Sequence, residues 1–393
     1  MEPKGFTFSV VEAAVKKPGR KDLALIFSQV PAACAAVFTN NKVKAAPVLL
    51  GMERVAGGTC RAVVVNSGNA NACTGQPGME SALETARLVA AGLGIDEAAV
   101  IPSSTGVIGV QMPMERVRNA VPALLEGLGH SSLEDVAKAI MTTDTFAKLA
   151  VRKGMAGGVP YTIAGVAKGA GMIRPDMATM LSFLVTDAAV EQSWLQEAFR
   201  AAVDVSFNCI TVDGDTSTND TALIMANGLA GNPPLSGADA DAAMFRRLLG
   251  EVTLELAKAI VKDGEGATKL VTIDVRGAAN HKDARLAGMA VANSPLVKTA
   301  FFGQDANWGR ILAAVGYSGA EVDQSRVALS FDDVQMVSGG LFVGGDAEAR
   351  GSAVLHKPEF RVTIDLGLGA GCAMVYTSDF SYDYVKINAD YRT

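Results

Sequence analysis

One stretch constrains this chain more than any other: Lys168-Gly-Ala-Gly-Met-Ile-Arg-Pro-Asp-Met-Ala-Thr179. A glycine-rich approach runs into Pro175, then into a threonine preceded by the small residue Ala178, then into the apolar, β-leaning run Met180-Leu-Ser-Phe-Leu-Val185. A threonine hydroxyl is a poor nucleophile at its ordinary pKa. Cutting the bond before it frees an α-amine that titrates near neutrality and can serve as its base. The Ala178-Thr179 junction has what such a self-cut needs: no bulk on the carbonyl side, glycines that tolerate a strained backbone, and a strand beyond to hold the new terminus. A plain loop leading into a buried strand explains the same residues without any chemistry, since threonine is common at strand starts.

Other chemistries find little to work with. The three histidines, His130, His281 and His356, have no suggestive neighbours for a triad. The five cysteines, at 34, 60, 73, 209 and 372, are scattered with no C-x-x-C spacing, so neither a zinc site nor a disulfide framework is indicated, and no metal is expected. A reducing cytoplasm fits that cysteine usage best. A net charge of −6 with no basic cluster argues against a nucleic-acid partner. Apolar runs such as Ala32–Phe38 are far too short to span a membrane, and Met-Glu-Pro-Lys-Gly at the start shows no apolar signal core. With 49% apolar residues, 19% charged and 41 glycines in 393 residues, the expectation is a compact protein of two or three lobes with many tight turns.

Along the chain, β-leaning runs at 6–11, 23–27, 33–38 and 61–65 precede helices expected at about 79–93 and 113–128. A further helix begins near Ser131, where Ser131 and Glu134 fit a capping box. Strands are expected at 99–102, 149–152, 161–166 and 179–185, and later at 270–275, 326–331 and 360–365. Phe245, Leu248, Leu249, Val252, Leu256 and Ile260 form a helical stripe within 240–262, which core packing explains. Sheets packed with helical layers, an α/β (α+β) class, follow from this alternation.

Several further segments, in order along the chain, carry a specific resemblance. They are Phe38–Pro47 (FTNNKVKAAP), Val65–Gly75 (VNSGNANACTG), Ser104–Gly109 (STGVIG), Thr142–Phe146 (TTDTF) and Val212–Asp220 (VDGDTSTND). Gly264–Thr268 (GEGAT), Asp305–Arg310 (DANWGR) and the tail Ile387–Thr393 (INADYRT) complete the set. With the Thr179 segment they resemble the ornithine acetyltransferase family, the bifunctional glutamate N-acetyltransferases of arginine biosynthesis, from near residue 5 to the end.

The resemblance implies a four-layer sheets-between-helices core, like that of self-cleaving aminopeptidases, plus a smaller C-terminal α/β lobe from about residue 280 to 393. It implies self-cleavage at Ala178-Thr179 into chains 1–178 and 179–393, which stay together, two of each, as a heterotetramer. The activity implied is acetyl transfer from N-acetylornithine to glutamate through an acetyl-Thr179 intermediate. Thr105 and Gly106 correspond to the oxyanion donors, and Thr145, Lys168, Thr179, Glu265, Asn388 and Thr393 to substrate contacts. No cofactor is implied; whether acetyl-CoA also serves as co-substrate is left open, since no motif binds CoA recognisably. A self-cleaving aminopeptidase of related architecture is the alternative.

Two segments imitate other sites. Lys168-Gly-Ala-Gly lacks the spacing of a phosphate loop. Asp213–Asn219 begins like a calcium loop, but has Thr216-Ser217-Thr218 around the required glycine and Ile224 at the place of the bidentate glutamate. Asn66, Asn69 and Asn71 are expected to bond their own backbone, as asparagines in glycine-containing turns do.

Overall fold

The computed structural model describes residues 2–174 and 180–390. In chain order its strands are β1 (Phe6–Val11), β2 (Leu23–Phe38), β3 (Thr59–Asn69), β4 (Val100–Val107), β5 (Lys148–Ala156), β6 (Val159–Lys168), β7 (Leu181–Thr186), β8 (Ile210–Thr211), β9 (Thr221–Ala226), β10 (Leu270–Ala278), β11 (Ala328–Phe331), β12 (Val334–Ser338), β13 (Leu341–Phe342), β14 (Glu359–Asp365) and β15 (Gly371–Ser378). The helices are α1 (Ala46–Val55), α2 (Gly75–Leu93), α3 (Met114–Glu126), α4 (Leu133–Ala139), α5 (Gln192–Asp204), α6 (Ala240–Lys262), α7 (His281–Asn293), α8 (Pro295–Phe302), α9 (Trp308–Gly316), α10 (Ala347–Leu355) and α11 (Tyr382–Ala389). The class is mixed α/β with two sheets. No described helix is long and apolar enough to cross a membrane.

The first unit comprises Met1–Gly169, Arg174–Asn208 and Thr216–Ile260. Its sheet runs β4-β3-β2-β9-β7-β6-β5, with β1 paired to β2. Successive side chains of a strand point to opposite faces, so continuous apolar runs bury both. Leu23 and Leu25 of β2 and Val64 of β3 pack with Val89 of α2 and Leu124 of α3, whereas Ile26, Val63 and Val65 pack with Val136 of α4. Each fully buried leucine of this kind contributes ~2 kcal/mol. This two-sided burial fixes the middle of the sheet, and β4 at one edge and β6 next to the other carry Thr105, Gly106 and Lys168 near their ends.

The second unit takes Val261–Thr393 together with Ala170–Ile173 and Cys209–Asp215. The lobe expected from about residue 280 lies within it. Its sheet runs β13-β12-β11-β14-β10-β15-β8. Val271, Ile273 and Val275 of β10 alternate inward against Ala287 and Val291 of α7, Phe301 of α8 and Ile311 of α9. Between them Asp274 faces the other way and pairs with Arg276 and Arg361.

Several local expectations change. The runs 23–27 and 33–38 are one 16-residue strand whose register against β3 breaks between Phe27 and Ala32, where Pro31 cannot donate to the ladder. The capping box lies one residue later: Ser131 bridges to Phe8, and Ser132 and Asp135 cap α4 reciprocally. The strand expected at 99–102 extends to Val107 and so includes Thr105 and Gly106. Helix α2 begins at Gly75 rather than near Met79. The strand expected from Thr179 is described from Leu181.

Candidate active site

Thr105 and Gly106, just beyond the strand expected at 99–102, lie within β4, paired in parallel with β3. The crossing is tight. Gly106 has φ +139, and a Cβ there would lie 2.2 Å from the carbonyl carbon of Gly68, so only glycine lets the strands run together here. Asn219 holds the same corner by donating through Nδ2 to Ser104 O at 2.9 Å and Ala70 O at 2.6 Å, and Ser104 Oγ donates to Asn66 Oδ1 at 2.6 Å. Asn66 donates to Asn69 O, Asn71 to Gly78 O, and Asn69 Oδ1 accepts from Asn71 N, local bonds as expected, whereas Asn69 Nδ2 reaches Val110 O and Gln111 O, 41 and 42 positions on.

Lys168 closes β6, buried, and its Nζ donates to Thr105 Oγ1 at 3.2 Å. A hydroxyl whose oxygen accepts from a lysine keeps its own proton to donate. The charge of Lys168 is set among two carboxyls. Burial pushes the Asp144 carboxyl up, but Lys168 and Lys148, with hydrogen bonds from Lys148 and the Gly169 N–H, outweigh that and hold it at about 2. Asp144 pairs with Lys148 at 2.7 Å with both side chains fully buried, and it accepts from Gly169 N at 2.7 Å and Thr142 N at 2.9 Å. Thr145 follows Asp144 on the exposed side of that turn.

Asp220 is the second carboxyl. Burial raises its pKa well above the usual range, against the pull of Ser217, Lys168, Thr39 and the Met180 amide. Among the described residues its Oδ2 has no hydrogen-bond partner. The adjoining Thr221 N–H donates to Met180 O at 3.0 Å, at the parallel junction of β9 and β7. A buried carboxyl whose pKa is raised by burial thus lies next to the first described residue after Thr179.

In the second unit, Glu265 is buried and its carboxylate accepts from Asn388 Nδ2 at 2.8 Å, 123 positions apart in sequence. Its own N–H donates to Ala170 O at 2.9 Å. Gly171 leaves room for that carboxylate, because a Cβ there would lie 2.5 Å from it. Asp213 fixes the same segment, accepting from Met172 N at 2.6 Å and Ile173 N at 2.8 Å. The Asp213–Asp220 motif, given no role from sequence, is therefore a brace. Asp213 holds the approach segment, Asn219 the Thr105 strand, and Asp220 lies beside Met180.

Thus the structure joins Thr105 with Lys168, and Glu265 with Asn388. The proposed cut and nucleophile, Ala178 and Thr179, and the terminal Thr393 lie outside the described residues. Asp144, Asp213, Asn219 and Asp220 lie in segments that carry the resemblance but had no site role from sequence. The one signal for the first was an acidic residue enclosed by threonines. His281 and His356 each contact a backbone carbonyl, of Cys372 and Ser352, at exposed positions.

Residues 7–393 match the ArgJ family. The arginine biosynthesis bifunctional protein ArgJ of Geobacter sulfurreducens is 69% identical over 393 residues, covering 100% of both chains. That of Syntrophotalea carbinolica is 58% identical over 389 residues, covering 99% of each. The crystal structure of arginine biosynthesis bifunctional protein argJ from Bacillus halodurans is 43% identical with a TM-score of 0.52, and covers 54% of this chain and 99% of its own.

Proposed function

The chain belongs to the ArgJ family, and from that membership we infer an enzyme of arginine biosynthesis that transfers acetyl groups. The reaction is transfer from N2-acetyl-L-ornithine to L-glutamate. The observation that carries the geometry is the buried Lys168–Thr105 contact at 3.2 Å, a cation beside a hydroxyl at the end of a parallel strand pair.

In this reading the chain cuts itself between Ala178 and Thr179, and the freed α-amine of Thr179 takes the proton of its own hydroxyl. The hydroxyl oxygen attacks the acetyl carbonyl. Thr105 and Gly106 donate to the oxyanion as it develops. The carbon–nitrogen bond breaks, ornithine leaves as an amine carrying that proton, and an acetyl ester remains on Thr179. Glutamate's amine then attacks the ester, acetylglutamate leaves, and the hydroxyl is restored. Lys168 receives an α-carboxylate, Thr145 and Thr393 contact substrate, and Glu265 with Asn388 receives the side-chain ammonium of the ornithine.

The length of the solved relative supports the cut. Its own chain is 99% matched by 54% of this one, which is about what remains beyond Thr179. The two products stay together, two of each, in the cytoplasm. The relatives named bifunctional support a second activity, with acetyl-CoA as donor to glutamate. The aminopeptidase alternative gives way to acetyl transfer because the family match runs through 7–393.

A denaturing gel tests the cut: wild type should give two bands summing to 40.6 kDa, Thr179→Ala one band and no activity, and Thr179→Ser two bands. A single wild-type band after long incubation would overturn it. Native gel filtration should then show one peak containing both fragments.

A further inference from the structure

Lys298 is a buried lysine to which the reading above gives no task, and its ammonium donates to hydroxyl and carbonyl oxygens. It lies on α8 and is 1% exposed. Its Nζ donates to Thr377 Oγ1 at 2.8 Å, to Ser378 Oγ at 3.3 Å and to Ser378 O. Those acceptors match the three donors of an ammonium, which is what a buried cation needs to be tolerated. The same Nζ lies 4.8 Å from the centre of the Phe380 ring, and the Phe380 N–H returns to Lys298 O at 3.2 Å. One side chain thus grips the corner between β15 and α11 from four sides.

Two arms leave that corner, and both lead to Glu265. Asp379 accepts from Thr268 N at 2.8 Å, Thr268 Oγ1 at 2.5 Å and Lys269 N at 3.0 Å, and Ser381 Oγ donates to Gly266 O at 2.6 Å. These bonds fix the loop that carries Glu265. Along the other arm Phe380 stacks on Tyr384, with ring centres 4.7 Å apart and planes at 20°. Tyr384 O accepts from Asn388 Nδ2 at 3.0 Å, and the same amide nitrogen reaches Glu265 Oε2 at 2.8 Å.

We propose that Lys298 is a positioning residue for the donor half of the reaction. It locks the Thr377–Ser381 corner, and so sets where the Glu265 carboxylate and the Asn388 amide stand to receive the side-chain ammonium of the acetylornithine. The proposal rests on the reading that Glu265 binds that ammonium. Lys298 makes no contact with substrate and takes no part in the bond changes. Burial draws it down to about 7, opposed by the charges of Asp379 and Asp213, so the lock is strongest on the acid side of neutrality.

The test separates the half-reactions of the mature enzyme. Lys298→Met should lower kcat/KM for N-acetylornithine about tenfold while leaving kcat/KM for glutamate within about twofold. Glu265→Gln should show the same asymmetry, and the double variant should be no worse on the donor side than the poorer single one. Phe380→Leu, which keeps an apolar corner but removes the stacking on Tyr384, should reproduce the donor-side loss, and it serves if Lys298→Met fails to fold. Equal loss in both half-reactions for Lys298→Met or for Phe380→Leu would reduce Lys298 to a general core residue and overturn the proposal. If instead Glu265→Gln is symmetric, the ammonium reading itself fails, and this proposal falls with it.

Discussion

Lys168 Nζ donates to the hydroxyl of Thr105 at 3.2 Å, joining the end of β6 to the end of β4 across 63 positions of sequence. Both residues are buried, so the bond operates where water does not compete. Lys168→Ala should therefore lower kcat/KM for both half-reactions by about tenfold to a hundredfold, since each amino acid brings an α-carboxylate. Steady-state rates with each substrate varied in turn measure this.

Thr105→Val should reduce kcat by about a hundredfold with little change in KM, as expected for a donor used mainly by the developing oxyanion. Thr105→Ser keeps a hydroxyl and should recover most of the rate. A KM effect without a kcat effect would assign Thr105 to ground-state binding instead.

Asp144 should be a stability residue as well as a neighbour of Lys168. Asp144→Asn removes the carboxylate that faces the buried Lys148 cation and should cost about 3–5 kcal/mol in urea unfolding. Because the folded pKa of Asp144 is held near 2, below its ordinary 3.8, its stabilising share is complete above pH 3.8 and is lost as pH falls through about 2. The acid limb of the wild-type stability curve should be steeper than that of the variant.

Asp220 should have the opposite sign. Its folded pKa is raised, so between 3.8 and that raised value the unfolded chain holds fewer protons than the folded one, and stability falls as pH rises. Asp220→Asn lacks this loss. Its melting temperature relative to wild type should therefore climb from pH 4 towards pH 7. A constant difference would mean that the pKa of the Asp220 carboxyl is not raised by folding.

Removing the tail from Asn388 onward should raise KM more than it lowers the chemical rate, because it removes the amide that reaches Glu265 and contacts common to bound and transition states. Fixed-saturation rates close to wild type, with a shifted KM, are the expected result.

The sequence was most legible where pattern and burial agree. The stripe from Phe245 to Ile260 sits on α6, and β10, β11 and β14 lie where alternation predicted them. It was least legible where one residue decides between neighbours. Ser131 and Ser132 are equivalent as letters, and only the bridge to Phe8 makes the second the cap. Helix α1 carries no capping side-chain bond, and Pro47 in its first turn is its one start signal in the sequence. For the candidate site, the motifs pointed to Thr105, Lys168, Glu265 and Asn388, which the fold brings together as two pairs. No spacing rule could pair residues 63 or 123 positions apart, nor tell that the Asp144 carboxyl is held low and the Asp220 carboxyl raised. Those are properties of burial and of the charges alongside, which only the fold assembles.

The central claim is that Thr179 carries the acetyl group, and one measurement addresses it most directly. Purified protein is incubated with N-acetylornithine alone, digested, and the peptide beginning at Thr179 is weighed before and after glutamate is added. The account predicts a peptide with Thr179 as its first residue that gains one acetyl increment and loses it to glutamate. Parallel double-reciprocal plots should accompany it. An unacetylated peptide under conditions of turnover, together with intersecting plots, would mean direct transfer between two bound substrates and would contradict the account.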